Sequence, residues 1–289
     1  MANTILTPEV IAREALMVLR NNAVMAKLVH RDYSDEFVAG KGDTITVRKP
    51  ATFVANEFNG TIEKQDAKET GVAVKMDKHL DVSFAVSSKE LTLDIADFSA
   101  QYLVPAMQAF ADKVDKYLIG LEKGATNRVA HASGEINQAD LLKARKLLSD
   151  NAAPLADRRF VCGTTAEAEL LGNELFVSAE KVGDEGTALR EASLGRKYGM
   201  DIYADQNIIK DGDYTPAIAF HKNALALVTR PLALPQGAAK SATVNYDGFG
   251  LRVVYGYDIN TKTDTISIDM LCGVALLDDN LIAVVADNR

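Results

Sequence analysis

The apolar residues near the start of the chain recur with a helical period and predict an amphipathic helix over residues 5–29. Thr7 would be its N-cap and Pro8 its first helical residue. The pair Asn21-Asn22 is expected to divide this helix in two. The helix either docks on its own domain or is an arm offered to a partner, and the pattern favours neither. Its apolar face comprises Val10, Ile11, Ala15, Val18, Leu19, Met25 and Leu28.

From Gly40 the apolar period changes to two, which is typical of strands with one buried face. The predicted strands are Thr44–Arg48, Val72–Met76 and Leu80–Val86. A polar stretch separates the first two, and Asn59-Gly60 within it is a hairpin-turn signal. A two-stranded excursion with a polar tip has too little apolar surface to be stable alone. It is expected to be either a lid over its own domain or an arm laid over another molecule.

A helical period returns between Asp94 and Lys123 and predicts the longest element of the chain, about 45 Å if unbroken. Pro105 is expected to kink this helix or to mark its first turn, and Gly124 is its predicted C-cap. The predicted buried stripe comprises Leu103, Met107, Phe110, Val114, Tyr117, Leu118 and Leu121. The predicted opposite face comprises Asp112, Lys113, Asp115 and Lys116.

The rest of the chain alternates short helices and strands. Asn137-x-x-Asp140 resembles a capping box that opens a helix through Leu148. Thr164-x-x-Glu167 is expected to cap a second helix that ends at Leu171. Strands are predicted at Arg158–Cys162, Met200–Ala204, Ala217–Phe220, Ser241–Asn245, Leu251–Asp258, Thr263–Asp269 and roughly Gly273–Ala286. The order helix, long hairpin, long helix, mixed lobe and closing strands predicts an α+β fold.

Composition narrows the range of partners. The 289 residues are 47% hydrophobic and 25% charged, which suits one large domain or two modest ones. Acidic residues outnumber basic ones, 40 to 32, so the formal net charge is −8. Tight binding to nucleic acid or to an anionic membrane is not expected, because both need clustered Lys and Arg. No apolar stretch approaches the roughly 18 residues that span a bilayer, and no signal peptide is visible.

Motifs that carry chemistry are missing from the sequence. The histidines His30, His79, His131 and His221 lie far apart, and none has another ligand at metal-site spacing. No phosphate-binding loop, dinucleotide fingerprint or nucleophile elbow occurs. Cys162 and Cys272 stand in apolar runs and are predicted to be buried, and nothing requires a disulfide between them. We predict no catalytic residue, no cofactor and no metal site.

Five strings in the chain resemble, in order, segments of the major capsid proteins of tailed bacteriophages, which share the Hong Kong 97-type fold. The strings are MANTILTPEVIAREAL, SSKELTLDIADFSAQYLVPAMQAFADKVD, LGRKYGMDIYADQNI, AFHKNALALVTRPL and DGFGLRVVYGYDINTKTDTISIDMLCG. The resemblance spans nearly the whole chain and is nearest to the coat proteins of short-tailed enterobacterial phages. Those proteins carry an additional inserted domain, and only a loop fits between Pro231 and Asn245, so the insertion is predicted to be missing.

The resemblance implies a domain plan and a function. Residues 1–37 would be an N-terminal arm, 38–88 an extended loop, 89–150 and 250–289 a peripheral domain with the spine helix, and 151–249 an axial domain. The protein would be a structural protein, not an enzyme, that assembles into hexamers and pentamers of an icosahedral shell around the phage genome. Its location would be the virion capsid, with assembly in the bacterial host cytoplasm. Procapsid maturation would bend the spine helix, with Pro105 as the candidate flexing point.

The implied partners are copies of the chain itself, a separate scaffolding protein, a portal protein, packaged double-stranded DNA held without specific binding, and optionally a decoration protein. No membrane is involved. The candidate subunit contacts are Glu57, Asn59, Lys64 and Lys68 near the arm's tip. The candidate scaffold contacts are the basic residues Arg13, Arg20, Lys27 and Arg31.

One branch of the resembled family forms an isopeptide bond between an arm lysine and a neighbour's asparagine, assisted by a glutamate. Lys64 or Lys68 could supply the lysine, and Asn127 or Asn260 the asparagine. The nearest look-alikes do not cross-link and the trio is not identified, so a noncovalent contact is expected.

Two other functions remain open. An encapsulin-type bacterial nanocompartment would use the same fold to enclose a cargo enzyme. A metabolic enzyme with an α+β core and a hairpin lid would be a monomer or a small oligomer.

Overall fold

The protein is described by a computed structural model. It describes residues 8–33, 42–49, 53–58, 60, 64, 66, 70–87, 99–130, 136–178, 191–208, 217–237, 240–246 and 249–286.

Two helices form the N-terminal segment, α1 (Pro8–Asn22) and α2 (Met25–Leu28). The helix is present at Pro8, the first described residue, and is interrupted after Asn22, so the predicted break is confirmed. The predicted cap at Thr7 lies outside the described residues. The apolar face of α1 packs on the long spine helix and on two strands of the five-stranded sheet, both of which are described below. The N-terminal segment is therefore docked on its own chain, which decides between the two alternatives left open by the sequence.

The spine, which the sequence predicted as one long helix between Asp94 and Lys123, consists of three helical parts between Ser99 and Gly124. A π-helical turn (Ser99–Leu103) leads into α3 (Val104–Ile119), and a 3-10 turn (Gly120–Gly124) follows. The α-helical part has 16 residues and is about 24 Å long, well short of the predicted length. The C-cap of α3 is Gly120 and not Gly124, because the last turn tightens into 3-10 geometry.

Pro105 lies in the first turn of α3, directly after the π-helical turn. Proline has no N–H to donate to the preceding turn and its ring crowds the carbonyl four residues earlier. A wider π turn at this point relieves that crowding. Of the two predicted roles for Pro105, the first turn of the helix is therefore the one observed.

Asp115 corrects the predicted polar face of the spine, because its side chain is only 1% exposed. Its Oδ2 accepts a hydrogen bond from the backbone N–H of Val24 at 2.8 Å, and its Oδ1 accepts one from Ala26 at 3.1 Å. The break between α1 and α2 leaves backbone donors without helical partners. Asp115 supplies those partners and ties the N-terminal segment to the spine.

The first sheet is antiparallel throughout and has five strands. Its order is β10 (Lys240–Tyr246), β11 (Phe249–Asp258), β12 (Thr263–Leu276) and β3 (Lys78–Ser87), and β9 (Leu225–Arg230) pairs with the far end of β12. β12 is one strand through the point where the sequence predicted two. The predicted strand Gly273–Ala286 is not continuous, because Asp278 caps a 3-10 turn (Asp279–Leu281) within it.

The second sheet has six strands. Its order is β4 (Arg128–Ala130), β13 (Ile282–Ala286), β8 (Ala217–His221), β5 (Arg158–Cys162), β7 (Met200–Ala204) and β6 (Arg196–Lys197). The helices α4 (Gln138–Asp150), α5 (Thr164–Leu171) and α6 (Glu174–Val177) belong to this half of the molecule.

Two predicted helix caps have different outcomes. The capping box of α4 is confirmed, since Asn137 Oδ1 accepts from the Ala139 N–H at 2.8 Å and Asp140 Oδ2 accepts from the Asn137 N–H at 3.3 Å. The cap of α5 is wrong by one residue. Gly163 occupies the N-cap and makes no side-chain bond, while Thr164 is already helical.

The two sheets divide the chain at different points from the predicted boundary at 249/250. β9 and β10 precede that boundary but belong to the five-stranded sheet, and β13 follows it but belongs to the six-stranded one. One buried core joins α1, α2, the spine, the five-stranded sheet and one face of β5, β8 and β13. A second core joins α4, α5, α6 and the other face of the six-stranded sheet. Among the described helices, none combines the length and hydropathy needed to cross a membrane.

Candidate functional site

The arm predicted between Gly40 and Ser88 is a two-stranded hairpin of β1 (Thr44–Lys49) and β2 (Thr70–Lys75). The strands are antiparallel, with Ile45 opposite Val74 and Val47 opposite Val72. All four apolar side chains lie on one face, as the period of two predicted. The third predicted strand, observed as β3, leaves the hairpin and pairs with β12.

The paired strands of the hairpin pack on their own chain from their base to Lys49, so the arm has more internal support than the sequence suggested. Val47, Val74 and Met76 are buried in a small cluster. Their partners in it are Ala226, Val228, Ala275 and Leu277 of β9, β12 and the turn that follows. The Lys49 ammonium adds an ion pair with Asp278 at 3.2 Å.

Gly273 in β12 allows this close approach. A Cβ at this position would lie 2.3 Å from the carbonyl oxygen of Lys75 at the end of β2. Any other residue would therefore push the base of the arm away from the sheet. The glycine and the apolar cluster together fix the direction in which the hairpin leaves the body.

The described part of the arm's tip exposes polar residues, as predicted, and also three large apolar side chains. Phe53 is 65% exposed, Val54 70% and Phe58 75%. Aromatic side chains bury a large area when they find a partner surface, and their exposure is unfavourable in water. The string ATFVANEFNG already carries these side chains, but they lack the period of a strand or a helix, and sequence reasoning passed over them.

The four polar candidates near the tip have mixed outcomes. Glu57 and Lys64 are exposed, which is compatible with a contact residue. Asn59 and Lys68 lie outside the described residues. Gly60, the second residue of the predicted turn, has φ of 101°, a left-handed conformation that favours glycine. Contacts made by these residues stay a prediction.

The four basic candidates for a scaffold contact are not equivalent. Arg13 and Lys27 are exposed. The Arg31 guanidinium is partly buried and lies over the ring of Phe249, 5.3 Å from its centroid. Arg31 therefore makes a cation–π contact within its own chain, and its contact with a scaffold stays a prediction. The side chain of Arg20 is not among those that the structure describes.

A charged cluster braces the sheet that receives β3. Asp269 of β12 is 4% exposed and accepts from Arg252 of β11 through both oxygens, at 2.8 Å from Nε to Oδ1 and by a second bond from Nη2 to Oδ2. The His79 Nε2 of β3 lies 3.3 Å from Asp269 Oδ2. Such a bidentate pair is strong and sets the relative position of three strands. No sequence motif marked this cluster, because its members lie in three separate strands.

The proposed cross-link acceptors occupy different settings. The amide of Asn127 donates to the carbonyl of Asp279 and is partly buried. Asn260 is exposed in the turn between β11 and β12, where its N–H donates to Asp258. Asn127 is thus held within its own chain, whereas Asn260 is accessible.

The cysteines carry no visible chemistry. Cys162 and Cys272 are both buried, as predicted, and neither forms a disulfide. Burial raises the thiol pKa of each to about 12, so both stay protonated and unreactive at neutral pH. Within the described ranges, no group of three or more His, Cys, Asp or Glu is arranged to hold a metal ion.

Sequence comparison and structure comparison give different outcomes. The sequence matches no protein-family model and no curated protein. A chain from Mycobacterium phage Che8 matches the structure with a TM-score of 0.70 at 20% identity, over 91% of this chain and 90% of that one. A chain from the capsid of cyanophage P-SCSP1u matches with a TM-score of 0.63 at 13% identity, over 92% and 88%. This is the Hong Kong 97-type fold.

The Hong Kong 97-type fold confirms the α+β class predicted from the sequence. A chain from the virus-like particle of Pyrococcus furiosus also matches, with a TM-score of 0.56 at 14% identity, over 96% of this chain and 98% of that one. These three matches cover between 91% and 96% of this chain. At these identities the likeness establishes the fold.

Proposed function

We propose that the chain is the shell-forming subunit of a tailed-phage capsid, a structural protein that assembles with copies of itself into an icosahedral shell around the genome. The observation that carries the proposal is the apolar tip of the hairpin arm. The arm's base is held on its own chain, whereas Phe53 and Phe58 are mostly exposed. An exposed aromatic pair on a supported hairpin is suited to bind another molecule. In a capsid that molecule is the adjacent subunit.

The contact would be noncovalent and mechanical. Burying one phenylalanine side chain contributes roughly 1.5–3 kcal/mol, so a single arm gives a weak contact. A closed shell repeats the contact at every subunit, and many weak contacts then act together. Hexamers and pentamers would form from the same surfaces, with each tip seated on a neighbour's peripheral domain.

We assign the domains from the sheets. The peripheral domain would comprise the spine and the five-stranded sheet, and the axial domain the six-stranded sheet with α4 and α5. The extended loop would be the β1–β2 hairpin within 38–88, and α1 with α2 would form the N-terminal arm within 1–37. Maturation would reorient these bodies about the spine, with the junction of the π turn and α3 at Pro105 as the flexing point.

Sedimentation velocity and electron microscopy of the purified chain test this function. A capsid subunit gives large closed shells, or sheets and tubes when the scaffolding protein is missing. A metabolic enzyme with a hairpin lid gives a monomer or a small oligomer under every condition. The remaining partners implied by the fold's phage members, a portal protein, packaged DNA and optionally a decoration protein, would be found in particles purified from infected host cells.

A bacterial nanocompartment shell is the second candidate. The match to the Pyrococcus furiosus virus-like particle, which covers nearly the whole of both chains, favours it. The two candidates predict different neighbours: terminase and portal genes beside a capsid gene, a peroxidase-like cargo gene beside a nanocompartment gene. Shells that close at one size from the chain alone, with no scaffolding protein, would favour the nanocompartment.

The exposed basic face of the N-terminal segment is the proposed contact for an acidic scaffolding protein. Replacing Arg13 and Lys27 together by glutamate is expected to reduce scaffold-dependent procapsid assembly several-fold, with a larger effect at low salt, because exposed charge pairs are screened. Co-assembly followed by sedimentation measures the yield. Lys123→Glu, a charge reversal at another exposed lysine, is the control. Procapsid yields equal to those of the control would rule out this contact.

The noncovalent arm predicts that mature particles dissociate completely. Denaturing electrophoresis of purified particles is expected to show monomer alone, and Lys64→Arg is expected to assemble as the parent chain does. A ladder of covalent oligomers that disappears in Lys64→Arg would show instead that Lys64 forms an isopeptide bond.

A further inference from the structure

Two buried carboxyl groups lie near enough for the charge of one to act on the other, in a region where three parts of the molecule join. Asp115 comes from the middle of the spine helix α3, and Asp205 follows the last residue of β7 in the six-stranded sheet. Each side chain is 1% exposed. The third part is the break between α1 and α2, whose backbone donors bond to Asp115. Asp115 thus ties the N-terminal segment to the spine. The turn after β7 is joined to the spine by the Asn207 amide, which donates to Asp112 Oδ1 at 3.3 Å.

The bonds at Asp205 are incomplete. Its Oδ1 accepts from the N–H of Asn207 at 2.8 Å, while its Oδ2 is buried and has no hydrogen-bond partner among the described residues. An ionised oxygen that is buried without a donor is costly. A proton on the pair would remove one of the two negative charges and with it the repulsion between them.

The groups around Asp205 offset only part of the effect of burial, although the backbone and the side chain of Asn207 both favour its ionised form. The spine contributes Asp112, whose charge also repels Asp205, and Lys116, whose charge attracts it. The single ionisable side chain of α2, Lys27, is exposed, and α2 meets Asp115 with backbone N–H groups. Asp205 is the only ionisable residue of the turn 205–208. The thiol of Cys162, whose carbonyl accepts from the Asp205 N–H, stays protonated because burial raises its pKa.

We propose that Asp115 and Asp205 form a proton-dependent latch, which holds the N-terminal segment and the turn after β7 against the spine when the pair carries a proton and loosens when both acids are ionised. The latch is a property of the single chain and does not depend on shell formation. In a shell it would make the joint between the N-terminal segment, the spine and the six-stranded sheet responsive to pH.

The direction of the pH effect follows from the burial. Burial raises the pKa of Asp115 from 3.8 to about 7, with the charge of Asp205 adding to the shift, and burial raises the pKa of Asp205 as well. An acid whose pKa is higher in the folded state than in the open state favours the folded state most at low pH. The stabilisation is therefore complete below about pH 4 and is lost as the pH rises through about 7.

Hydrogen exchange at the amides of Val24 and Ala26 tests the latch in the full-length chain. Their protection, corrected for the intrinsic effect of pH on exchange, is expected to fall roughly tenfold or more between pH 5.5 and pH 8. Sedimentation at each pH ensures that the same assembly state is compared. Protection that does not change with pH would overturn the proposal.

Asp205→Asn separates charge from packing. The asparagine keeps an oxygen for the Asn207 N–H and places an uncharged amide where Oδ2 lacks a partner. The variant is expected to lose less protection between pH 5.5 and pH 8 than the parent chain does, because Asp115 then ionises without a second charge beside it. The exposed Asp66→Asn serves as the control and is expected to keep the parent profile. An unchanged profile in Asp205→Asn would overturn the proposal.

A milder variant covers the case in which Asp205→Asn does not fold. Asp112→Asn leaves an oxygen that can accept from the Asn207 amide, which lies 3.3 Å from Asp112 Oδ1, but removes the charge that repels Asp205. The transition in protection is expected to move to lower pH. A transition that stays in place or moves to higher pH would contradict the latch.

Discussion

Replacing Phe53 and Phe58 together by serine is expected to abolish closed shells while the subunit stays folded. Both side chains are mostly exposed in the single chain, at 65% and 75%, so the subunit loses little packing when they are removed. In the assembled shell they would be buried against the adjacent subunit. The change removes roughly 3–6 kcal/mol of apolar burial from every arm contact. Sedimentation velocity and negative-stain electron microscopy measure the loss of particles.

A matched control separates this effect from general surface chemistry. Leu155 is 66% exposed in the link between α4 and β5, far along the chain from the arm. Leu155→Ser removes a similar exposed apolar side chain and is expected to assemble as the parent does. Circular dichroism and thermal unfolding check that both variants are folded. Full particle yield from the double phenylalanine variant would show that the tip is not an assembly contact.

Replacing Asp269 by alanine is expected to cost the single chain about 3–5 kcal/mol of unfolding free energy, because a largely buried guanidinium is left without its carboxylate. The Arg252 side chain is 17% exposed and Asp269 accepts two of its bonds. The loss would also remove the side-chain contact between Asp269 and His79 of β3. Denaturant unfolding of the unassembled chain measures the change.

Two further variants give the brace a strict test. Asp264→Ala removes a partly exposed carboxylate from the same strand and is expected to cost less than about 1 kcal/mol. The double variant Arg252→Met with Asp269→Leu removes both charges and is expected to be more stable than Asp269→Ala alone, since no buried charge is left unpaired. A single variant as mild as Asp264→Ala would mean that the ion pair contributes little to stability.

Local patterns predicted the elements well where one physical signal decided each of them. The period of two marked β1, β2 and β3, and the capping box at Asn137 marked the start of α4. The period could not show that β3 pairs with β12, because a strand's own residues determine which face is buried and not which strand lies beside it. For the same reason, the sequence could not show that strands on either side of the predicted boundary at 249/250 belong to the same sheet.

The buried acid on the spine shows a second limit. Ala111, Asp115 and Ile119 stand four residues apart and form one row of a buried face that is wider than the predicted stripe. A charged residue was placed on the solvent side because isolated acids are rarely buried. The donors that hold it, at Val24 and Ala26, lie about ninety residues earlier in the chain and arise from a break in another helix. Only the fold brings them together.

The sequence predicted where in the chain the hairpin arm lies, but not that large apolar side chains are exposed on it. The sequence located a hairpin arm and nominated its polar residues, since a loop tip is usually polar. The feature that distinguishes the tip is the exposure of Phe53 and Phe58, which depends on the structure around them. Arg31, one of the basic residues predicted to contact a scaffold, lies over the ring of Phe249 within the chain, and no sequence pattern indicated this contact.

An electron cryomicroscopy reconstruction of the assembled particle tests the central claim most directly. We expect a closed icosahedral shell in which Phe53 and Phe58 of each arm are buried against an adjacent subunit, with no covalent density between them. A chain that forms no particle under any assembly condition would contradict the proposed function. A shell in which the tip folds onto its own subunit or faces solvent would equally contradict it.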